Sequence, residues 1–142
     1  MKKRIIYIIL FFCLICSAAE KDNTYGNAVV NEITSIYDGD TFRCNINCFP
    51  AIIGERISIR INGIDTPEIR GSSAREKELA RKAKQFAVEK LRSAKKIELK
   101  NMKRGKYFRI LADVFVDGKN LGEMLIKAGH AVAYDGGTKP KW

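Results

Sequence analysis

The apolar positions of this chain change period several times, and each change marks an element. Val30, Ile33 and Ile36 predict a first strand over Ala28 to Tyr37. Asp38-Gly39 is a hairpin turn signal, and Thr41 to Cys44 begins the return strand. Asn45 to Gly54, with Pro50, reads as a loop, and Glu55 to Ile64 as the next strand. Gly71-Ser72-Ser73 opens a helix running to about Ser93, with Ala80, Ala83, Ala87, Leu91 and Ala94 on one face and Leu79 and Phe86 beside them. Its other face is Lys, Arg and Glu, the composition of a solvated surface. Ile97 to Leu99 predicts a short strand, Arg104 to Tyr107 a basic turn, and Arg109 to Val116 a longer strand turned by Asp117-Gly118. Asn120 caps a second helix with Glu123 in capping-box position; Met124, Leu125 and Ala128 face inward and Gly129 closes it. Ala131 to Tyr134 is a last short strand. Strands come first and helices are interspersed late, without βαβ alternation. The fold class this predicts is α+β, a small antiparallel barrel with helices against it.

The ends of the chain follow different rules. MKKR, an apolar run through Cys16, and the small residues Ser17-Ala18-Ala19 predict a secretory signal peptide over residues 1–19. The apolar run is short for a membrane span. Residues 20–27 are polar and read as a flexible leader, and residues 28–142 as the folded domain. The net charge is +10, of which Lys2, Lys3 and Arg4 supply three, leaving +7 after cleavage. That excess suits a polyanionic partner or plain solubility. Export to an oxidising compartment, secreted or periplasmic, would leave Cys44 and Cys48 as an even pair. A disulfide between them is expected, provided a tight turn through Asn45-Ile46-Asn47 brings them together.

The chemistry concentrates in RINGIDTPE, Arg60 to Glu68. Ile59 and Ile61 flank Arg60 on the opposite strand face, and Asp65 and Thr66 follow where the strand gives out. Pro67 fixes its own φ and biases Thr66 toward an extended conformation. Taken alone, this is either an edge turn with a surface salt bridge or a site for a hard cation and a phosphate. Asp40, after the upstream turn, and Arg109, in another strand, favour the second. Asp40 and Asp65 would hold Ca²⁺ with the Thr66 carbonyl and water. Glu68 would take a proton from the attacking water, and Arg60 and Arg109 would neutralise charge building on phosphate oxygens.

These residues stand in motifs that resemble the staphylococcal (thermo)nuclease family: YDGDTF, RINGIDTPE, KYFRILADVFVDGKNLGEMLIKAG and AVAYDGG, in the family's order, from Val29 to Gly137. The resemblance implies a five-stranded OB-fold β-barrel with flanking helices, and Ca²⁺-dependent, sugar-nonspecific cleavage of DNA and RNA by a secreted monomer without stable membrane association. It implies Asp40 and Asp65 as metal ligands, with Thr66 through its backbone. It also implies Glu68 as general base, Arg60 and Arg109 as phosphate contacts, and Tyr107 and Tyr134 flanking the nucleotide. Phe108 departs from it, standing where the type enzyme has glycine. The loop from Cys44 to Gly54 is longer, and Asp135-Gly136-Gly137 follows Tyr134 where a second tyrosine would stand. A different class of function, an inactive OB-type binding module, has no use for three carboxylates that repel phosphate unless a cation lies between them.

Overall fold

The structure is a computed structural model that describes residues 23–71 and 73–142. The signal-peptide reading of residues 1–19 therefore lies outside the described residues, as do the first residues of the leader. The elements in order are β1 (Ala28–Val29), β2 (Glu32–Ile36), β3 (Thr41–Asn45), α1 (Ala51–Gly54), β4 (Ile57–Ile61), β5 (Ile64–Asp65), α2 (Ala74–Ser93), β6 (Ile97–Arg104), β7 (Arg109–Val116), β8 (Lys119–Asn120), α3 (Leu121–Lys127) and β9 (Val132–Ala133).

Five strands of five to eight residues, β2, β3, β4, β6 and β7, carry the sheet. Its order is β1-β6-β7-β4-β3-β2. The alternation seen in the sequence sets its inner face: Ile57, Ile59 and Ile61 of β4 and Ala112, Val114 and Val116 of β7 are buried, together with Phe42 and Leu99. Ser58 and Arg60 face the other way. The single strand expected over Ala28 to Tyr37 is in fact two. The first pairs with β6, with Val30 N–H donating to Ile97 O at 3.0 Å; the second pairs with β3. One short stretch thus bonds to both edges of the sheet and curls it toward a barrel, the arrangement expected of an α+β OB-type fold.

Four expectations are corrected. The barrel is not wholly antiparallel, because β4 and β7 pair in parallel. The strand expected to stop at Leu99 runs on to Arg104. A register shift between Lys100 and Lys103, with Asn101 at φ +51°, breaks the period and returns Met102 to the core. Ala128 is exposed rather than inward-facing. Cys44 and Cys48 are free thiols, not a disulfide. Cys44 is buried on the inner face of β3, whereas Cys48 is exposed in the turn beyond the strand's end at Asn45, so one thiol lies in the core and the other in solvent. Burial pushes the Cys44 thiol up to about 12. Of these two, only Cys48 should be alkylated in native protein at pH 8, and Cys44 should react only in denaturant. Peptide mapping by mass spectrometry reads this directly, and a recovered disulfide-linked peptide would overturn it.

The helices brace the site end of the barrel. Ser73 caps α2 by accepting from Glu76 N–H at 3.0 Å, and Asn120 caps α3 by accepting from Glu123 N–H at 3.2 Å. The small face of α2 (Ala80, Ala83, Ala87) lets the helix come close to the β2–β3 turn. A Cβ on Gly39 would lie 2.9 Å from both Ala83 Cβ and Thr66 Cγ2. Glycine at 39 is therefore required by space, and the helix, the turn and the Asp65-Thr66 segment lock together.

Candidate metal and phosphate site

Each candidate residue is held by a local reason. Asp40 ends a turn in which Asp38 Oδ1 accepts from Asp40 N–H at 3.2 Å, and the Asp40 carbonyl accepts from Ile61 N–H at 2.8 Å. Asp65 sits on β5, pinned by pairing with Val132 of β9. Arg60 projects from the outer face of β4 between them. Its Nη1 donates to Asp40 Oδ1 and its Nη2 to Asp65 Oδ1, each at 2.9 Å. Thr41 Oγ1 donates to Asp40 Oδ1 at 2.8 Å. One guanidinium fork thus fixes two carboxylates from segments 25 positions apart in the chain.

The charge of this cluster does not balance. Asp38, Asp40 and Asp65 are all buried, Asp40 to 1% exposure; one guanidinium bonds Asp40 and Asp65, and the only further cation at them among the described residues is Lys139, which is 3.9 Å from Asp65 and is shared with Glu68. Burial and the Asp38 charge push the Asp40 carboxyl up to about 7, against the opposing pull of Arg60 and Thr41. Among the described residues no three His, Cys, Asp or Glu side chains converge on one point, so no all-side-chain metal cage exists. The oxygens that could hold a cation are instead those of Asp40, Asp65 and Thr66, all buried, and Thr66 Oγ1 has no hydrogen-bond partner. Surplus buried negative charge, an unpartnered oxygen and the absence of nitrogen or sulfur donors fit a hard divalent cation.

Glu68 stands one residue past Pro67, with its side chain half exposed. Lys139, from the C-terminal segment, donates to it and holds its carboxyl below the usual range. Lys139 Nζ is also 3.9 Å from Asp65 Oδ1, and Trp142 Nε1 donates to Asp65 Oδ2 at 3.4 Å. Neither contact was anticipated from the sequence. Asp38 was anticipated only as a turn residue. Asp38-Gly39-Asp40 did carry a usable signal, because a turn with two carboxylates and a glycine brings charge together. The 134–142 stretch carries no periodicity that points to Asp65.

The remaining candidates lie near but apart. Tyr134 lines, with Arg60, Gly63 and Leu111, a cavity of about 740 Å³ beside the cluster. Its hydroxyl donates to Gly137 O at 2.9 Å. Arg109 shares the outer face with Arg60, since Ser58 pairs with Arg109 and Arg60 with Leu111. Its Nε donates to Lys106 O at 3.4 Å, and its guanidinium carbon is 6.0 Å from the Tyr107 ring centre. Tyr107 itself is 89% exposed and does not line the Arg60 cavity. The structure therefore joins Asp40, Arg60, Asp65 and Glu68 into one group. It sets Tyr134 at its border and leaves Arg109 and Tyr107 one step away. His130 donates its backbone N–H to Leu125 O at 2.9 Å, and its ring packs on Phe86.

Residues 58–141 match the family described as Staphylococcal nuclease homologue. The chain belongs to that family. A protein of Schizosaccharomyces pombe named as a probable endonuclease is 30% identical over 127 residues, 73% of this chain and 55% of that protein. Endonuclease YncB of Bacillus subtilis is 36% identical over 100 residues, 68% of this chain and 44% of its own. An uncharacterized protein of Methanocaldococcus jannaschii is 26% identical over 177 residues, 94% of this chain and 83% of its own. The chain thus spans about half the length of the two relatives named as endonucleases. The family match begins within β4 and takes in Arg60, Asp65, Glu68 and Arg109, while Asp40 lies upstream of it.

Proposed function

We propose that this staphylococcal nuclease homologue is a Ca²⁺-dependent phosphodiesterase that cleaves DNA and RNA. The observation that carries the reading is the Arg60 fork on two buried aspartates with unbalanced negative charge. A nucleic-acid-binding module gains nothing from buried carboxylates that face phosphate, whereas a hydrolase needs them to hold a cation. Asp40, Asp65 and Thr66 would hold it, and when bound it supplies charge neutralisation at the phosphate and orientation of a water. Glu68, once released from Lys139, accepts the proton of the attacking water. The water oxygen bonds to phosphorus as the opposite P–O ester bond breaks, and the leaving alkoxide takes up a proton. Arg60 and Arg109 donate to the non-bridging oxygens, where charge grows. Tyr134 borders the cavity beside Arg60 where a sugar or base would lie.

Export rests on the composition of residues 1–19. Among the described residues no helix is long and apolar enough to cross a membrane.

The test is cleavage of an oligonucleotide and its RNA counterpart by purified protein with Ca²⁺, with chelator, and with Ca²⁺ restored. Activity is expected only in the first and third. Full activity in chelator would sink the metal reading. Binding without cleavage under any divalent cation would return the inactive module. Trp142 gives a readout independent of cleavage, being the only tryptophan of the chain and in contact with Asp65. Ca²⁺ titration is expected to shift its emission saturably, and Asp40→Asn to abolish the shift.

A further inference from the structure

A second cavity, of about 450 Å³, opens on the other side of Arg109, where β6 turns into β7. The aromatics Tyr25, Phe49 and Phe108 line it together with the aliphatic Ile53, Ile57, Met102 and Ile110, and so do three cations, Lys103, Arg104 and Arg109; no carboxylate does. The sequence that builds it, KRGKYFR (residues 103–109), interleaves four cations with two aromatics. Tyr25 is fixed there by the backbone, with Tyr25 N–H donating to Met102 O at 2.7 Å and Met102 N–H to Gly26 O at 3.0 Å.

Phe108 is the informative residue. It and Tyr107 both have φ +56°, in the left-handed region. A bulky residue there is a genuine outlier, disfavoured by roughly 1–2 kcal/mol. It also occupies the position where the staphylococcal type enzyme carries glycine, the residue that would adopt this backbone freely. Yet its ring is 69% exposed, as is that of Tyr25, so packing within the chain does not offset the strain. An exposed aromatic held on strained backbone, in a mainly apolar groove that three cations and no carboxylate line, points to a ligand with both a flat apolar face and negative charge.

We propose that this groove is a subsite for unpaired nucleotides adjoining the cleavage centre. Phe108 and Tyr25 stack the bases, and Lys103 and Arg104 hold the phosphates between them. Every nucleobase has a face to stack and every nucleotide an anion to pair, so the groove is sequence-tolerant. A duplex keeps its base faces covered and offers only phosphates. Arg109 lines the groove and shares the Arg60 face, so one residue belongs to both the groove and the face of the cleavage centre. Tyr25 and Phe49 lie outside residues 58–141, so this half of the groove is not part of the family match. The inference takes its substrate class from the nuclease reading, but its test does not require cleavage.

Fluorescence anisotropy with a labelled 12-nucleotide single strand and its duplex, in chelator, measures binding alone. The single strand is expected to bind more tightly. Phe108→Ala should weaken it by roughly five- to a hundredfold and Phe108→Tyr should restore it. Arg104→Ala should reduce the slope of log affinity against log salt by about 0.7. Equal binding of strand and duplex, or unchanged affinity in a folded Phe108→Ala, overturns the subsite even if the protein cleaves. Phe108-dependent capture of phosphatidylglycerol vesicles without oligonucleotide binding also overturns it, in favour of a membrane. Phe108-dependent strand binding by a protein that cleaves nothing supports the subsite and defeats only the nuclease reading.

Discussion

Arg60→Ala is expected to lose turnover by roughly a hundredfold to a thousandfold and, in chelator, to lose much of its stability as well. The first loss follows from position. Arg60 lines the cavity beside the carboxylates, where donors to a phosphate in reaction belong. The second follows from its partners. The guanidinium is the shared counter-ion of Asp40 and Asp65, both almost fully buried. Read from the sequence alone, a strand-end arginine facing a polar cleft contributes little to the fold, and the two 2.9 Å bonds correct that reading. Removing one partner of a buried ion pair costs about 3–5 kcal/mol, because the charge left behind is uncompensated. For a domain of this size that is a fall in Tm of roughly 10–20 °C. Saturating Ca²⁺ should recover part of the Tm but not the turnover. Arg60→Lys should recover part of the stability through its charge, but not the two-pronged geometry.

The comparison variants separate the two roles. Among the described residues the side chain of Arg109 meets a carbonyl and an aromatic ring and no carboxylate, so Arg109→Ala should lower turnover with little change in Tm. Glu68 is half exposed, and Glu68→Gln should do the same. Lys82 pairs with Glu78 one helical turn away at the surface, and Lys82→Ala should change neither. Thermal melts with and without chelator, beside steady-state cleavage of a short oligonucleotide, measure all four. An Arg60→Ala protein with wild-type Tm and turnover would remove Arg60 from the site.

How far the sequence reaches can be judged from these residues. Arg60, Asp65 and Glu68 were legible because strand alternation turns Arg60 outward and Pro67 fixes the bend after it. Asp40 was legible because a tight turn ends one residue before it. These are local rules with short range. The parallel pairing of β4 with β7 was not legible, since residues 58 and 109 meet only through the curl of the whole sheet. Nor was the contact of Lys139 with Glu68, separated by 71 positions and fixed by no periodic pattern. The disulfide expectation failed where alternation stops speaking. Cys44 continues the inward parity of Phe42, but β3 ends at Asn45, and Cys48 lies in the exposed turn beyond it, where that parity no longer holds. The strand stopped at Leu99 because a bulge at Asn101 resets parity in the middle of β6, so alternation itself misleads there.

Asp40→Asn is expected to abolish cleavage and Ca²⁺ binding while making the metal-free protein more stable at pH 8. The sign follows from the raised carboxyl. In the folded chain Asp40 titrates near 7, and its ordinary value is 3.8. A group whose folded value is the higher one binds its proton more tightly when folded. Its contribution is complete below about 4 and is lost as pH rises to about 7. In chelator the wild-type protein should therefore lose stability across that window through this group. Asparagine accepts the Arg60 bond without a charge, so the variant should be flat there. Above pH 7 it should exceed wild type by on the order of 2–4 kcal/mol. Ca²⁺ reverses the ranking. A cation at one hundred times its Kd stabilises the protein that binds it by about 2.7 kcal/mol, and the variant gains nothing. Residues placed for a ligand commonly show this pattern, destabilising until the ligand arrives. Thermal melts of both proteins at pH 5 and pH 8, with chelator and with Ca²⁺, give all four values. If Asp40→Asn is as strongly stabilised by Ca²⁺ as the wild type, the cation sits elsewhere. If it is less stable than wild type at pH 8 in chelator, the buried charge is not the burden that its surroundings imply.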